Sequence, residues 1–198
     1  MMEAAPSLGS DVASRTIHST GTVRSRPGRR PVRQRGQALT EFALVAPLLL
    51  VVLFGIIDGG LLLFTVGSAR FAAADGARVA AQLGNATNAD TSAVQTIRTG
   101  PLGQTALASV THVDIYRLTQ GGGGALSVDA TAYNSYRIDG STISQTWPPS
   151  SRDTQNGASD FLGLTVYYTY GWKSGSLLGT GSLQLASTVY VRVEPNTY

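Results

Sequence analysis

Residues 33–66 read RQRGQALTEFALVAPLLLVVLFGIIDGGLLLFTV, and the fold follows from how this stretch is read. From Phe42 to Val66 the sole charged residue is Asp58. Leu, Val, Ile and Phe fall on every helical face and show no period-two alternation, so the stretch is expected to be a helix that is apolar all round. Its roughly 25 residues reach about 37 Å, enough to cross a hydrocarbon core of about 30 Å. Such a helix either fills the core of a large domain or spans a membrane. A chain of 198 residues cannot supply a core around it, so a membrane span is expected.

Toward the N-terminus the texture reverses. Residues 1–36 carry seven arginines (Arg15, Arg24, Arg26, Arg29, Arg30, Arg33 and Arg35) against Glu3 and Asp11, a net of +5. The remainder is largely Ser, Thr, Pro and Gly with little to bury, the composition of a disordered leader. Residues 37–198 hold seven arginines and one lysine against ten acids, a net of −2. The whole-chain charge of +3 and pI near 9.4 therefore belong to the tail. A nucleic-acid-binding role, which a basic chain invites, loses its basis, and no nucleic-acid partner is expected. Arginines crowd just before Gly36, while Arg70 and Arg78 alone lie close beyond the span. The positive-inside rule keeps the tail cytoplasmic and sends residues from about 67 onward across the membrane. The absence of cysteine excludes disulfide-stapled modules and thiolate metal sites.

Toward the C-terminus, Ser68–Leu83 (SARFAAADGARVAAQL) is Ala-rich with Asp75, Arg78 and Gln82 on its polar side, a continuation of the helix out of the membrane. Past Gly84 the sequence turns β-prone. Strands are expected at Thr111–Leu118, Leu126–Tyr133, Leu164–Tyr170 and Leu183–Val193, preceded by a short helix near Ala93–Arg98. In the last strand Leu183, Leu185, Val189, Val191 and Val193 share one face. Gly121–Gly124 is expected to link the first two strands as a hairpin. Asn134–Asp160, with Pro148-Pro149 and many Ser, Asn and Gln residues, is expected to be a long surface loop. The fold class is thus α+β: a basic leader over 1–36, a transmembrane and extended helix over 37–83, and a small, mainly antiparallel β domain over 84–198.

The junction of tail and span is the most specific part: Arg35-Gly36-Gln37-Ala38-Leu39-Thr40-Glu41-Phe42. A glycine closes the basic tail, and a glutamate stands five residues later at the start of the apolar helix. This resembles a type IV prepilin cleavage site, at which a membrane aspartyl peptidase cuts after the glycine on the cytoplasmic side. Glycine lets an extended backbone enter a narrow active site, and the apolar helix holds the bond at the membrane surface. A carboxylate at the bilayer edge is costly unless paired. In pilins the new N-terminal amine made by cleavage can pair with such a glutamate on a neighbouring subunit.

The wider string is similar to the TadE-like family of pseudopilins from tight-adherence (Flp-type) pilus systems. The likeness rests on the arginine-rich leader, the G-x-A-x-x-E-F start, Pro47, Asp58 in the second half of the span, and the Ala/Arg-rich helix Ala69–Ala81. Leu162–Tyr168 and Val191–Pro195 look like the family's last two strands. The resemblance covers residues 33–83 and 160–195. It implies processing between Gly36 and Gln37, with Glu41 serving recognition and subunit assembly. It also implies a non-enzymatic role in a pilus or related secretion apparatus, with a prepilin peptidase, other pilins or pseudopilins and the lipid bilayer as partners. The implied location is a bacterial cell membrane, single-pass, with the C-terminal domain outside or in an extracellular pilus. A single-span anchored binding or adhesion protein outside any pilus is the alternative.

Each feature also has a plainer reading. Gly36 and Glu41 could be a glycine before an ordinary span and a helix-start acid near the positive end of the dipole. Asp58 is either a functional intramembrane carboxylate or one hydrated near the outer interface. Gly55 and Gly59 form the G-x-x-x-G spacing of close helix contacts, a spacing common by chance in spans. Pro47 removes one helix hydrogen bond and either kinks the span or is merely tolerated near its start. Ala72-Ala73-Ala74 has the form of a signal-peptidase site, but the apolar run is too long for a signal h-region of about 7–15 residues. His112 and Asp114 share a strand face with no nucleophile elbow nearby, and a lone strand histidine is ordinarily structural. Gly121–Gly124 lacks the Lys-Ser/Thr of a phosphate loop, and the scattered carboxylates show no metal-ligand spacing. No cofactor is expected. Tyr167, Tyr168, Tyr170, Trp172 and Tyr190 are read as sheet packing.

Overall fold

A computed structural model describes residues 33–155, 159–174 and 181–194. Two units divide at Phe42 and Ala43: the first holds the start of the long helix, the second its remainder and the sheet. The elements are α1 (Arg33–Leu83), α2 (Ala89–Thr99), α3 (Pro101–Gln104), β1 (Ala108–Gln120), β2 (Leu126–Tyr136), β3 (Thr142–Gln145), a 3-10 turn (Pro149–Ser151), β4 (Phe161–Gly171) and β5 (Ser182–Arg192). The strands form one antiparallel sheet ordered β3-β2-β1-β4-β5. The class is α+β, with a long apolar N-terminal helix before a small antiparallel sheet. The basic leader lies outside the described residues up to Val32.

α1 is apolar because it has two different jobs along its length. Between Leu39 and Ile57 the large side chains stand exposed, save the half-buried Phe54; Leu44 is 80% exposed and Ile56 69%. Beyond that, a stripe of small residues turns inward: Thr65, Ala69, Ala72, Ala73, Ala77 and Ala80 are buried. Their spacing of three and four keeps them on one face, and their size lets the helix lie close on the sheet. Gly76 extends the stripe; a Cβ there would stand 2.8 Å from Ile97 Cδ1 of α2. The helix ends where Gly84 takes a φ of 55° and returns its N–H to the Ala80 carbonyl at 3.1 Å, a left-handed stop suited to glycine.

The inner sheet face meets this stripe with Val113 and Ile115 of β1, Leu162, Leu164, Val166 and Tyr168 of β4, and Leu185, Val189 and Val191 of β5. α2 adds Ala93, Val94 and Ile97. Lengths match: β4 runs about 33 Å at about 3.3 Å per residue, and Asp58–Ala81 runs about 35 Å at about 1.5 Å. At one end Tyr170 donates its hydroxyl to the Asp58 carbonyl at 3.3 Å. At the other, the Glu194 N–H reaches the Ala81 carbonyl at 3.0 Å. The second half of α1 is thus a spine along the whole sheet.

The stretch Asn134–Asp160 departs from the surface loop expected of it. It holds the last residues of β2, all of β3 and the 3-10 turn. Trp147 is 3% exposed, Arg152 4% and Asn134 0%. The cause is a polar core invisible to hydrophobic patterning. Asp90 of α2 pairs with Arg152 and accepts from Asn134 Nδ2 at 2.8 Å and from the Tyr136 hydroxyl at 2.9 Å. Asn134 also receives the Trp147 N–H at 2.9 Å, and the Arg152 guanidinium lies 4.6 Å over the Trp147 ring. A buried charge is tolerated when paired and hydrogen-bonded, so residues typical of loops here fasten a strand and turn to α2. Burial and the Asp90 carboxylate push the Tyr136 hydroxyl pKa up.

Candidate processing and assembly site

Gly36 and Gln37 sit in the opening turns of α1, both exposed. A Cβ on Gly36 would meet nothing within 4 Å. Gln37 Nε2 donates to Glu41 Oε1 at 3.0 Å, and the Thr40 hydroxyl donates to the Gln37 carbonyl at 2.8 Å and the Gly36 carbonyl at 3.3 Å. These bonds gather Gly36, Gln37 and Glu41 on one exposed turn. They also hold the Gly36–Gln37 peptide in helical form, so a protease that binds extended backbone must first unwind that turn. Glycine lowers the cost: it weakens a helix by about 1 kcal/mol relative to alanine. Glu41 has Gln37 as its partner here, an amide in place of a cation.

Pro47 lies inside α1, exposed, with helix on both sides. Gly55 and Gly59 each face open space, with no neighbour within 4 Å of an added Cβ. Among the described residues no other helix approaches these faces.

Asp58 is different. It is 1% exposed between the exposed Ile57 and the exposed Gly60. Its Oδ1 accepts the Lys173 N–H at 3.2 Å, and its Oδ2 accepts the Ser174 N–H at 3.1 Å and the Ser174 hydroxyl. Lys173 in turn donates Nζ to the Ala106 carbonyl at 2.8 Å. The carboxylate is therefore capped by the segment following β4. Sequence reasoning singled out Asp58 but missed Lys173 and Ser174. Lys173 being the chain's single lysine was the available signal, and it does not by itself point to a residue so distant in sequence.

His112 and Asp114 do come together on the outer sheet face, Nε2 to Oδ2 at 3.7 Å. The His112 ring stacks on Tyr167 with centroids 4.3 Å apart, and Asp114 accepts the Tyr133 hydroxyl. Burial and that carboxylate push the Tyr133 pKa up. Around them Tyr116 stacks on Tyr133, and its hydroxyl bonds Thr165 at 3.0 Å, which bonds Thr188 at 2.9 Å. The arrangement is a cross-strand ladder of rings and hydroxyls that ties β2, β1, β4 and β5 together. Tyr168 and Tyr170 face inward, whereas Tyr190 stays 54% exposed and Trp172 37% exposed.

Among the described residues, α1 is the one helix long and apolar enough to cross a membrane. A family model described as TadE-like protein matches residues 36–78. That segment runs from the glycine of the junction through the exposed apolar helix into the alanine stripe, and over it the chain is similar to that family. No curated protein and no solved structure matches the chain.

Proposed function

We propose that this chain is a minor pseudopilin of a tight-adherence pilus or related secretion apparatus, inserted with its basic leader in the cytoplasm and cleaved between Gly36 and Gln37. The observation that carries the reading is the Gly36–Gln37–Glu41 turn at the head of a helix whose large apolar residues from Leu39 to Ile57, save Phe54, are exposed among the described residues, within the segment matched as TadE-like. The twenty residues from Ala38 to Ile57 take up about 30 Å as helix, close to the thickness of a hydrocarbon core. Cleavage would release the leader and create an α-amine on Gln37. Glu41 of one subunit would then exchange its Gln37 amide partner for the amine of a neighbour, a charge-assisted bond in a poorly hydrated setting. Gly55 and Gly59, facing open space, and Pro47 would lie where such neighbours pack. The role is structural and calls for no catalysis. N-terminal sequencing of the protein from cells with an active prepilin peptidase tests this: a mature terminus at Gln37 is expected, and an intact leader there would sink the processing claim.

The helical form of the Gly36–Gln37 peptide favours a second reading, in which the leader stays attached and the chain is a permanently anchored, single-span binding protein. Its localisation would then be unchanged by removal of the pilus motor.

A further inference from the structure

We propose that the end of the sheet beside Asp58 rests on the lipid surface, with Trp172 and Lys173 as interfacial anchors. The inference builds on the membrane-span reading and adds which part of the exported domain touches lipid. Counted back from Asp58, a hydrocarbon core of about 30 Å takes up roughly twenty helical residues, the length of the apolar run that precedes Asp58 in sequence. Asp58 follows at once, and there the covering protein begins. Its carboxylate receives two backbone N–H groups and a hydroxyl from Lys173 and Ser174, which fixes that segment at the height where the hydrocarbon ends. A neighbouring carboxylate that faced lipid unpaired would be costly; this one is sealed by the segment it positions.

The chemistry of that segment suits the boundary. Trp172 packs edge-on against Tyr170 with centroids 5.6 Å apart and leaves 37% of itself exposed. Leu183, paired with Tyr170 across the hairpin, is equally exposed at 37%. The Trp172 indole favours the headgroup layer, and a lysine beside it suits the polar side of the same layer. On α1 itself, Leu63 and Phe64 remain 74% and 59% exposed. They rise about 8 Å past Asp58, the depth of one headgroup layer. The opposite end of the sheet, at Gln120, is exposed and lies at the Ala81 end of the spine, about 35 Å away along the helix.

The absence of cysteine makes site-directed spin labelling clean in the full chain reconstituted into bilayers. Labels are placed singly through Trp172→Cys, Val51→Cys and Gln120→Cys, and their collisions with oxygen and with a water-soluble nickel chelate are compared. The label at 172 should show headgroup depth, with nickel collisions reduced at least about threefold relative to 120 and oxygen collisions below those at 51. As a measurement on the unaltered protein, lipids brominated near the headgroup should quench part of the tryptophan emission. Trp147, buried in the sheet domain, supplies an unquenched remainder. If 172 is as nickel-accessible as 120 and the emission is unquenched, while 51 reports hydrocarbon, the anchor is wrong and the span stands. If 51 is also aqueous, the span reading falls with it.

Discussion

Gly163 shows how tightly single residues on the outer sheet face are specified. A Cβ there would stand 2.3 Å from Tyr116 Cε2. The ring has no easy escape, because its hydroxyl is bonded to Thr165 and it lies stacked beside Tyr133. Gly163→Ala is expected to lower stability by about 1–3 kcal/mol, the usual cost of overpacking, seen as a reduced thermal midpoint in detergent. Combining it with Tyr116→Val should recover part of the loss. A second residue ties stability to acidity. The Thr131 hydroxyl, then Arg117, then the Thr131 N–H stabilise the Asp129 carboxylate and hold its pKa down at about 2, below the ordinary 3.8. Its folded value is depressed, so its contribution is complete above the unfolded pKa and is lost as pH falls through the folded one. Asp129→Asn should therefore differ most from the natural chain above about pH 4 and converge with it toward about pH 2. Thermal unfolding followed by circular dichroism across that range checks the direction. If the difference stays constant with pH, Asp129 is not the titrating group.

Between elements, the joint to test is α1 against the segment after β4. Three donors converge on Asp58, and hydrogen bonds to a charged acceptor are worth about 1.5–3 kcal/mol each. Asp58→Leu removes all three acceptor contacts at once and leaves the Lys173 and Ser174 N–H groups unmatched. An endoprotease specific for lysine has one target in this chain, Lys173. Cleavage there should accelerate at least about tenfold in Asp58→Leu, a local opening cost lowered by more than 1.4 kcal/mol. Unchanged cleavage would mean the joint holds without Asp58. This joint also marks the boundary of what patterning can read. The apolar run, the alanine stripe, and the strands now seen at Ala108–Gln120, Leu126–Tyr136, Phe161–Gly171 and Ser182–Arg192 announce themselves by period and composition. β3 and the Trp147 turn do not, because Asp90, Asn134 and Arg152 bury polarity in place of hydrocarbon. Gly36, Gln37 and Glu41 were legible as neighbours in sequence. The Asp58 cap joins residues more than a hundred positions apart, and no local signal encodes such a pairing.

For the whole molecule, charge and topology form one argument. The leader carries +5 and the remaining residues −2, so a single cut at Gly36 reverses the sign of the protein. On the proposed reading the arginines would resist translocation and favour export of the sheet domain before the cut, and a mildly acidic domain would remain on an apolar stem after it. Isoelectric focusing reads this directly. The uncut chain should focus near its sequence pI of about 9.4, and the mature form should move to the acidic side of neutrality while staying in the membrane fraction. Gly36→Val, which puts a β-branched side chain at the cleaved bond but alters no charge, should hold the protein in the basic form. A cut after Ala74 would also give an acidic product, but that product would lack the apolar stem and leave the membrane fraction. An acidic, membrane-retained band that persists in Gly36→Val would place the cut elsewhere in the leader, and Glu41 would lose its proposed partner amine on Gln37.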